Sequence, residues 1–164
     1  MRTVIGIDGD TRKLAWARAP IGNEPWQTGV LVRTNARGDV HPTYEPALAK
    51  LCCEWRAAQA LVVAESPYLK TVGGRVSNGL LDVFAALCRL QGELESAARR
   101  HGLAYETVSP SIWQAAILGG PGSRTDCKRA SMALAVGQLG RADLTEDEAD
   151  AVCIALYAQE GQTQ

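Results

Sequence analysis

Several features that would assign the chain to a familiar class of protein are missing. The net charge is only -1 at neutral pH, so the chain as a whole offers no basic surface for nucleic acid, and any phosphate-binding site must come from local clustering. No apolar run approaches the roughly 18 residues that a membrane span needs. No repeat, low-complexity segment or linker interrupts the sequence. We therefore expect a single domain over residues 1–164 that does not bind membranes.

Zinc-binding spacing is missing as well. None of the five cysteines belongs to a CxxC pair, and only His41 and His101 are present to complete a zinc site. We expect reduced structural thiols, as in a cytoplasmic protein. The apolar first strand begins within MRTVIGID, so we also expect no secretory signal ahead of it. The cysteines are Cys52, Cys53, Cys88, Cys127 and Cys153.

What the sequence does contain is an ordered alternation of strands and helices. Apolar or alternating segments predict strands over 3–8, 14–19 and 30–33, which is typical of an antiparallel meander. A helix over 46–58 and a short apolar strand over 60–65 follow, and that strand is of the kind found in buried parallel sheets. A long helix over 80–100, a strand over 105–108 and three further helices complete the chain. These helices are predicted within SPSIWQAAILGG, over 126–139 and over 146–159.

Several carboxylates lie at strand ends or among apolar residues, where burying a charge costs free energy. Asp8 and Glu65 end two strands that would be neighbours in a sheet with the first strand at its centre. Asp150 lies among apolar residues, where burying an unpaired carboxylate is unfavourable. Asp147 is three residues earlier and so projects from the same side of the last helix. We expect these four residues, called the acidic cluster below, to meet on the sheet face that the last helix covers.

The first turn of the last helix contains acidic residues that ordinary helix stabilisation explains. Thr145 and Glu148 have the spacing of a capping box, and Glu146 and Asp147 in the first turn complement the helix dipole. Asp147 therefore has this ordinary explanation as well, and only Asp150 lacks one. A single aspartate at a strand end is also more often a turn residue or a cap than a metal ligand. The complete set of four is a far more specific signal.

Ionised carboxylates packed together require cations. Like charges about 4 Å apart repel by roughly 4 kcal/mol at an effective dielectric constant near 20. Carboxylate oxygens with no cysteine or histidine among them favour Mg²⁺ or Mn²⁺ over zinc. A pair of such ions is a standard means of hydrolysing phosphodiesters. The acidic cluster therefore predicts a two-metal phosphodiesterase.

The chain resembles the RuvC Holliday junction resolvases, which are RNase H-like nucleases, over nearly its whole length. The motifs that carry the resemblance are IGIDGDTRKLAWA, VVAESPYL and DEADAVCIAL. It implies an α/β RNase H-like fold with a five-stranded mixed sheet, in which the first three strands form an antiparallel meander and the last two run parallel to the first. It also implies that Asp8, Glu65, Asp147 and Asp150 are the catalytic acids and bind two Mg²⁺ ions, with Mn²⁺ able to substitute. The third of these positions is aspartate or histidine in the family.

The resemblance extends to residues that would contact DNA. Tyr68 stands three residues after Glu65, where the family places an aromatic residue that stacks near the junction centre; packing under its own loop is the alternative. The segment GGPGSRTDCKRA resembles one that ends in a basic residue near the scissile phosphate, which implies a catalytic role for Lys128. Other basic residues near strand ends and helix starts are candidate phosphate contacts. They are Arg12, Lys13, Lys70, Arg75, Arg124 and Arg129.

The implied function is that of a Mg²⁺-dependent endodeoxyribonuclease that resolves four-way DNA junctions by paired symmetric nicks. Such an enzyme would act in recombination and repair, in the cytoplasm of a bacterium or of a cell infected by a phage. A two-fold symmetric junction needs two active sites, so a homodimer is implied. The family pairs its subunits partly through the long helix after the fourth strand.

In this chain one face of that long helix carries an apolar stripe at helical spacing, which we expect to cover the chain's own sheet. A dimer surface would then have to use a second face, for example Leu81, Cys88 and Glu95. The stripe consists of Leu80, Phe84, Leu87, Gln91, Leu94 and Ala98.

Other functions remain open at this point. IGIDGDT also resembles the phosphate-binding first hairpin of actin-like sugar kinases and ATPases, although those proteins need a second such domain. A nuclease specific for RNA·DNA hybrids or another branched DNA would share the fold. So would a catalytically inactive module that only binds branched DNA or a protein partner.

Overall fold

The structure is a computed structural model that describes residues 2–22, 24–33, 44–69, 77–120 and 122–162. The elements of this part of the chain are, in order, β1 (Val4–Gly9), β2 (Lys13–Ala19), β3 (Gln27–Val32), α1 (Glu45–Ala57), β4 (Leu61–Glu65), α2 (Asn78–Arg100), β5 (Ala104–Val108), α3 (Pro110–Leu118), α4 (Arg124–Leu139) and α5 (Glu146–Gly161). No helix among these residues combines the length and apolar character that a membrane span needs.

The strands form one mixed sheet in the order β3-β2-β1-β4-β5. β2 is antiparallel to both β1 and β3, whereas β4 is parallel to both β1 and β5. The predicted α/β class and strand arrangement are thereby confirmed. The consequence for function is that the carboxyl ends of β1 and β4 meet at one end of the sheet.

The two faces of the sheet are covered by different helices, because side chains alternate along each strand. Ile5 and Ile7 of β1 pack in the core on the side of α1 and α2. Val4 packs on the opposite side, against α3 and α5. Gly6 and Asp8 share the α5 side with Val4, since they are two and four residues further along the strand.

Element boundaries differ from the sequence predictions in ways that hydrogen bonding explains. β3 begins at Gln27 rather than at position 30, because the polar start of this edge strand still pairs with β2, Gln27 opposite Arg18. α4 begins at Arg124 rather than at position 126, because the side chain of Ser123 accepts a hydrogen bond from the Asp126 amide and caps the helix.

α2 covers the sheet with only its second half, so the expectation that the whole apolar stripe is buried there is wrong. Leu90 and Leu94 are buried, but Leu80, Phe84 and Leu87 are only half-buried. The reason is length: 23 helical residues extend roughly 35 Å, whereas the five residues of β4 extend about 17 Å. The first three turns of α2 therefore project beyond the sheet.

The cysteines form no disulfides. All five are free thiols, and Cys52 and Cys153 are buried. Of the two histidines, His41 lies outside the described residues.

Candidate active site

Strand register brings the first two acidic residues side by side. Ile7 of β1 pairs with Ala64 of β4, so Asp8 and Glu65 follow directly on adjacent parallel strands. Both side chains emerge on the α5 side of the sheet, by the same alternation that places Gly6 and Val63 there. The strands thus present two carboxylates to one helix.

α5 supplies the other two members of the acidic cluster from its first turns. The helix begins at Glu146, after a capping box in which Thr145 accepts a hydrogen bond from the Glu148 amide and the Glu148 carboxylate accepts one from the Thr145 amide. This confirms the capping interpretation of Glu148. Asp147 and Asp150 then lie one turn apart, and Asp150 is only 8% exposed.

The charge of Asp8 is influenced by the three other members of the acidic cluster. Burial raises the pKa of Asp8 well above its ordinary value of 3.8, and the nearby carboxylates of Glu65, Asp150 and Asp147 raise it further. The Lys128 ammonium acts in the opposite direction. Glu65, Asp147 and Asp150 are therefore each close enough to Asp8 to influence its charge.

Two lysines neutralise part of this charge. Lys128 of α4 donates a hydrogen bond to Asp150 Oδ2, and its Nζ lies 4.0 Å from Glu146. Burial lowers the pKa of Lys128, but the bond to Asp150 and the surrounding carboxylates outweigh burial, so the pKa is raised. Lys13, at the start of β2, forms an ion pair with the buried Oδ2 of Asp147, which raises the pKa of Lys13.

The donors available here suit a hard cation. In the described residues no group of three histidine, cysteine or acidic side chains is arranged to hold a metal ion as the side chains stand. The acidic cluster nevertheless offers only carboxylate oxygens, which Mg²⁺ and Mn²⁺ prefer. The thiol of Cys153 is a poor metal ligand, because burial and the Asp150 carboxylate raise its pKa to about 12. The donor set thus fits Mg²⁺ or Mn²⁺ and does not fit a soft metal.

Glu65 has a partner that sequence analysis missed. The indole Nε1 of Trp113, on α3, donates a hydrogen bond of 2.7 Å to Glu65 Oε2. Burial raises the pKa of Glu65, and this hydrogen bond lowers it in part. The general rule that a buried tryptophan N–H finds an acceptor applied to Trp113, but nothing in the spacing identified Glu65 as that acceptor.

Tyr68 lies beside the acidic cluster with its ring in solvent. Its side chain is 67% exposed, so it is not packed under the described part of its loop, residues 66–69. It borders a cavity of about 250 Å³ between the ends of β1 and β4 and the α2 helix. Glu65, Leu87 and Gln91 also line this cavity.

The residues predicted to contact phosphates differ in their exposure and in their ion-pair partners. Arg12, in the β1–β2 turn, and Arg124, at the start of α4, are exposed, and Arg129 forms an ion pair of 2.5 Å with Asp126. Lys13 forms an ion pair with Asp147 of the acidic cluster, although 44% of its side chain remains exposed. Lys70 and Arg75 lie outside the described residues.

Comparison with known proteins defines the fold. No protein-family model matches the sequence, and no curated protein does. Among solved structures, RuvC of Thermus thermophilus superposes with a TM-score of 0.64 at 19% identity, covering 97% of this chain and 96% of that one. RuvC of the same organism in complex with a Holliday junction substrate superposes with a TM-score of 0.66 at 18% identity. This match covers 99% of this chain and 96% of that one.

A viral structure matches over an equal length. The fowlpox virus resolvase in complex with Holliday junction DNA has a TM-score of 0.59 at 12% identity and covers 99% of both chains. The chain therefore has an RNase H-like fold. The solved structures that share this fold include RuvC and a poxvirus Holliday junction resolvase, as the sequence resemblance predicts.

Proposed function

We propose that the protein is a Mg²⁺-dependent, structure-selective endonuclease that resolves four-way DNA junctions by paired symmetric nicks. The observation that supports the proposal is the strand register that sets Asp8 beside Glu65, together with the influence of Asp147 and Asp150 on the charge of Asp8. The solved structures of similar fold support it, because they include two resolvases in complex with Holliday junctions.

Each member of the acidic cluster would act as a cation ligand, with Asp8 at the centre because its charge is affected by the other three. Two divalent cations bound here would supply water activation and charge stabilisation for phosphodiester hydrolysis. Asp147 and Asp150 would then exchange their lysine partners for cations. Lys13 and Lys128, once released, would be free to bind the oxygens of the scissile phosphate.

DNA would lie across the end of the sheet that carries the acidic cluster. Arg12, Arg124 and Arg129 would contact backbone phosphates there, and the exposed Tyr68 ring would stack on a base near the junction centre. Lys70 and Arg75 are proposed contacts from the segment between β4 and α2. Because the net charge is only -1, this local grouping must supply the electrostatic attraction.

A homodimer would supply the second active site that a symmetric junction requires. The projecting half of α2 supports this proposal, because it leaves apolar surface uncovered: Leu81 is 45% exposed and Val83 is 50% exposed. The exposed Cys88 continues this surface by two turns from Leu81. Glu95 is less suited to it, since it forms an ion pair with Arg99 within α2.

The decisive experiment is a cleavage assay on a synthetic mobile junction labelled in turn on each strand, with Mg²⁺ and with EDTA. We expect symmetric nicks in Mg²⁺ alone. Asp8→Asn should bind the junction and leave it intact, whereas Asp143→Asn, which removes an exposed carboxylate outside the acidic cluster, should cut normally. Undiminished cutting by Asp8→Asn would refute the proposal.

The same assay separates the alternatives. Preferential digestion of an RNA·DNA hybrid would identify a nuclease of different specificity. Junction binding without nicking at any Mg²⁺ or Mn²⁺ concentration would identify an inactive binding module. Sedimentation of the protein with and without junction DNA would test the homodimer.

A further inference from the structure

The hydrogen bond between Trp113 and Glu65 joins the candidate metal centre to the hydrophobic core. Trp113 is 1% exposed and packs with apolar side chains of α5, including Ile154, on the α5 side of the sheet. Its N–H is aimed at Oε2 of Glu65 over 2.7 Å. In the described part of the chain Trp113 is the one hydrogen-bond donor to this carboxylate.

Packing alone does not call for a nitrogen atom at this place. A phenylalanine ring would fill most of the same space, and an indole N–H buried without an acceptor would cost free energy. Glu65 has the complementary requirement, because burial disfavours its charge. Each group therefore satisfies the other, and the rigid indole restricts the carboxylate to one orientation.

We propose that Trp113 is a positioning residue for the metal centre. By holding Oε2 on its N–H, it fixes the rotation of the Glu65 carboxylate and directs Oε1 towards the cation that Glu65 shares with the rest of the acidic cluster. This inference rests on the proposed function, since it assumes that the acidic cluster binds divalent cations. It adds that α3, which contributes no ligand, sets the affinity of the site.

Calorimetric titration with Mg²⁺ and with Mn²⁺ tests the proposal. Trp113→Phe should weaken binding about ten- to hundredfold, the usual effect of removing a hydrogen-bond partner that orients a metal-ligating side chain. Trp55→Phe is the matched control, because Trp55 is equally buried but packs against Trp16 on the opposite side of the sheet. Its affinity for the cations should equal that of the wild type.

A double-mutant comparison distinguishes positioning from packing. If Trp113 acts through Glu65, Trp113→Phe should cause no further loss of cation affinity in a Glu65→Gln background. A further loss as large as that seen in the wild type would overturn the proposal. So would a Trp113→Phe variant that binds cations as tightly as the wild type.

A measurement on the unaltered protein decides the matter if Trp113→Phe does not fold. The chain has four tryptophans, so the indole N–H signals can be assigned by replacing the other three, Trp16, Trp26 and Trp55, one at a time. In NMR spectra, the chemical shift of the Trp113 indole N–H should change during a Mg²⁺ titration. The dissociation constant fitted to this change should equal the calorimetric one. A stationary signal despite Mg²⁺ binding overturns the positioning role alone, whereas a wild type that binds no Mg²⁺ or Mn²⁺ overturns the proposed function as well.

Discussion

Gly6 of β1 lies directly against the backbone of α5 at Ala151. A Cβ atom on Gly6 would stand 2.1 Å from the Ala151 carbonyl oxygen and 2.5 Å from the Ala155 nitrogen. No side chain separates strand from helix at this point. Since Asp8 is two residues beyond Gly6 and Asp150 precedes Ala151, the same contact sets the distance between the two halves of the acidic cluster.

Gly6→Ala should therefore disturb both stability and the site. The added methyl group must push α5 away from β1, because the atoms it meets belong to the backbone and cannot rotate aside. We expect a loss of about 1–3 kcal/mol or more in the free energy of unfolding, measured with urea, together with weaker Mg²⁺ binding. Gly92→Ala on α2 is the control, since nothing lies within 4 Å of its Cβ position, and it should be neutral or stabilising by up to about 1 kcal/mol. Equal effects of the two substitutions would contradict this account.

Lys128→Met should destabilise the protein when EDTA removes divalent cations. Asp150 is almost buried, and loss of its ammonium partner leaves an uncompensated carboxylate, at a cost of roughly 3–5 kcal/mol. Arg129→Met is the neighbouring control: its ion pair with Asp126 is largely exposed, so its loss should cost less than about 1 kcal/mol. Urea unfolding of both variants would show the difference. Similar losses would mean that Lys128 does not neutralise Asp150 in solution.

Asp8→Asn should stabilise the cation-free protein at neutral pH. Because the pKa of Asp8 is raised in the folded state, the unfolded chain releases this proton first as pH rises above 3.8, and the free energy of unfolding falls until the folded pKa is passed. Removing one of several like charges should gain on the order of 1–3 kcal/mol. The variant's advantage in urea unfolding should grow with pH through this interval and disappear when Mg²⁺ is added. A stability difference between the variant and the wild type that does not change with pH would argue against a raised pKa of Asp8.

Glu148→Gln should show the opposite dependence on pH. Burial raises the pKa of Glu148, but hydrogen bonds from Thr145 and Thr28 and the Arg141 charge outweigh burial, so the pKa is lowered below its ordinary value of 4.5. The stabilisation by this carboxylate is present above pH 4.5 and is lost as pH falls through the folded pKa. The variant should be less stable by about 1–3 kcal/mol at pH 7, and the difference should shrink in acid. A constant difference in urea unfolding would be inconsistent with a charged Glu148.

The strand arrangement was predicted correctly from the family resemblance, and local patterns were enough to select the four residues of the acidic cluster as candidates. Apolar runs that end in Asp8 and Glu65 identified neighbouring strands, and the three-residue spacing of Asp147 and Asp150 placed both on one side of α5. The capping box likewise separated Glu148 from its acidic neighbours. The helix spacing and the capping box are local patterns, whereas the pairing of β1 with β4 was expected from the resemblance.

Long-range contacts could not be predicted in the same way. The partner of Lys13 is 134 positions away, and that of Trp113 is a strand and a helix earlier, so no periodicity links them. The exposure of the first half of α2 depends on the length of the sheet compared with the helix, which becomes known only when both are built. These contacts arise from tertiary geometry.

Because lysines pair with Asp147 and Asp150, the chain does not need divalent cations in order to fold. An acidic cluster without internal counterions could be completed only where free Mg²⁺ is plentiful, and the newly made chain would depend on that supply. Here Lys13 and Lys128 come from β2 and α4 of the chain itself, so the native state can form without cations, and the cations of the proposed function would bind afterwards. Cation concentration would then regulate when the protein works and not whether it survives.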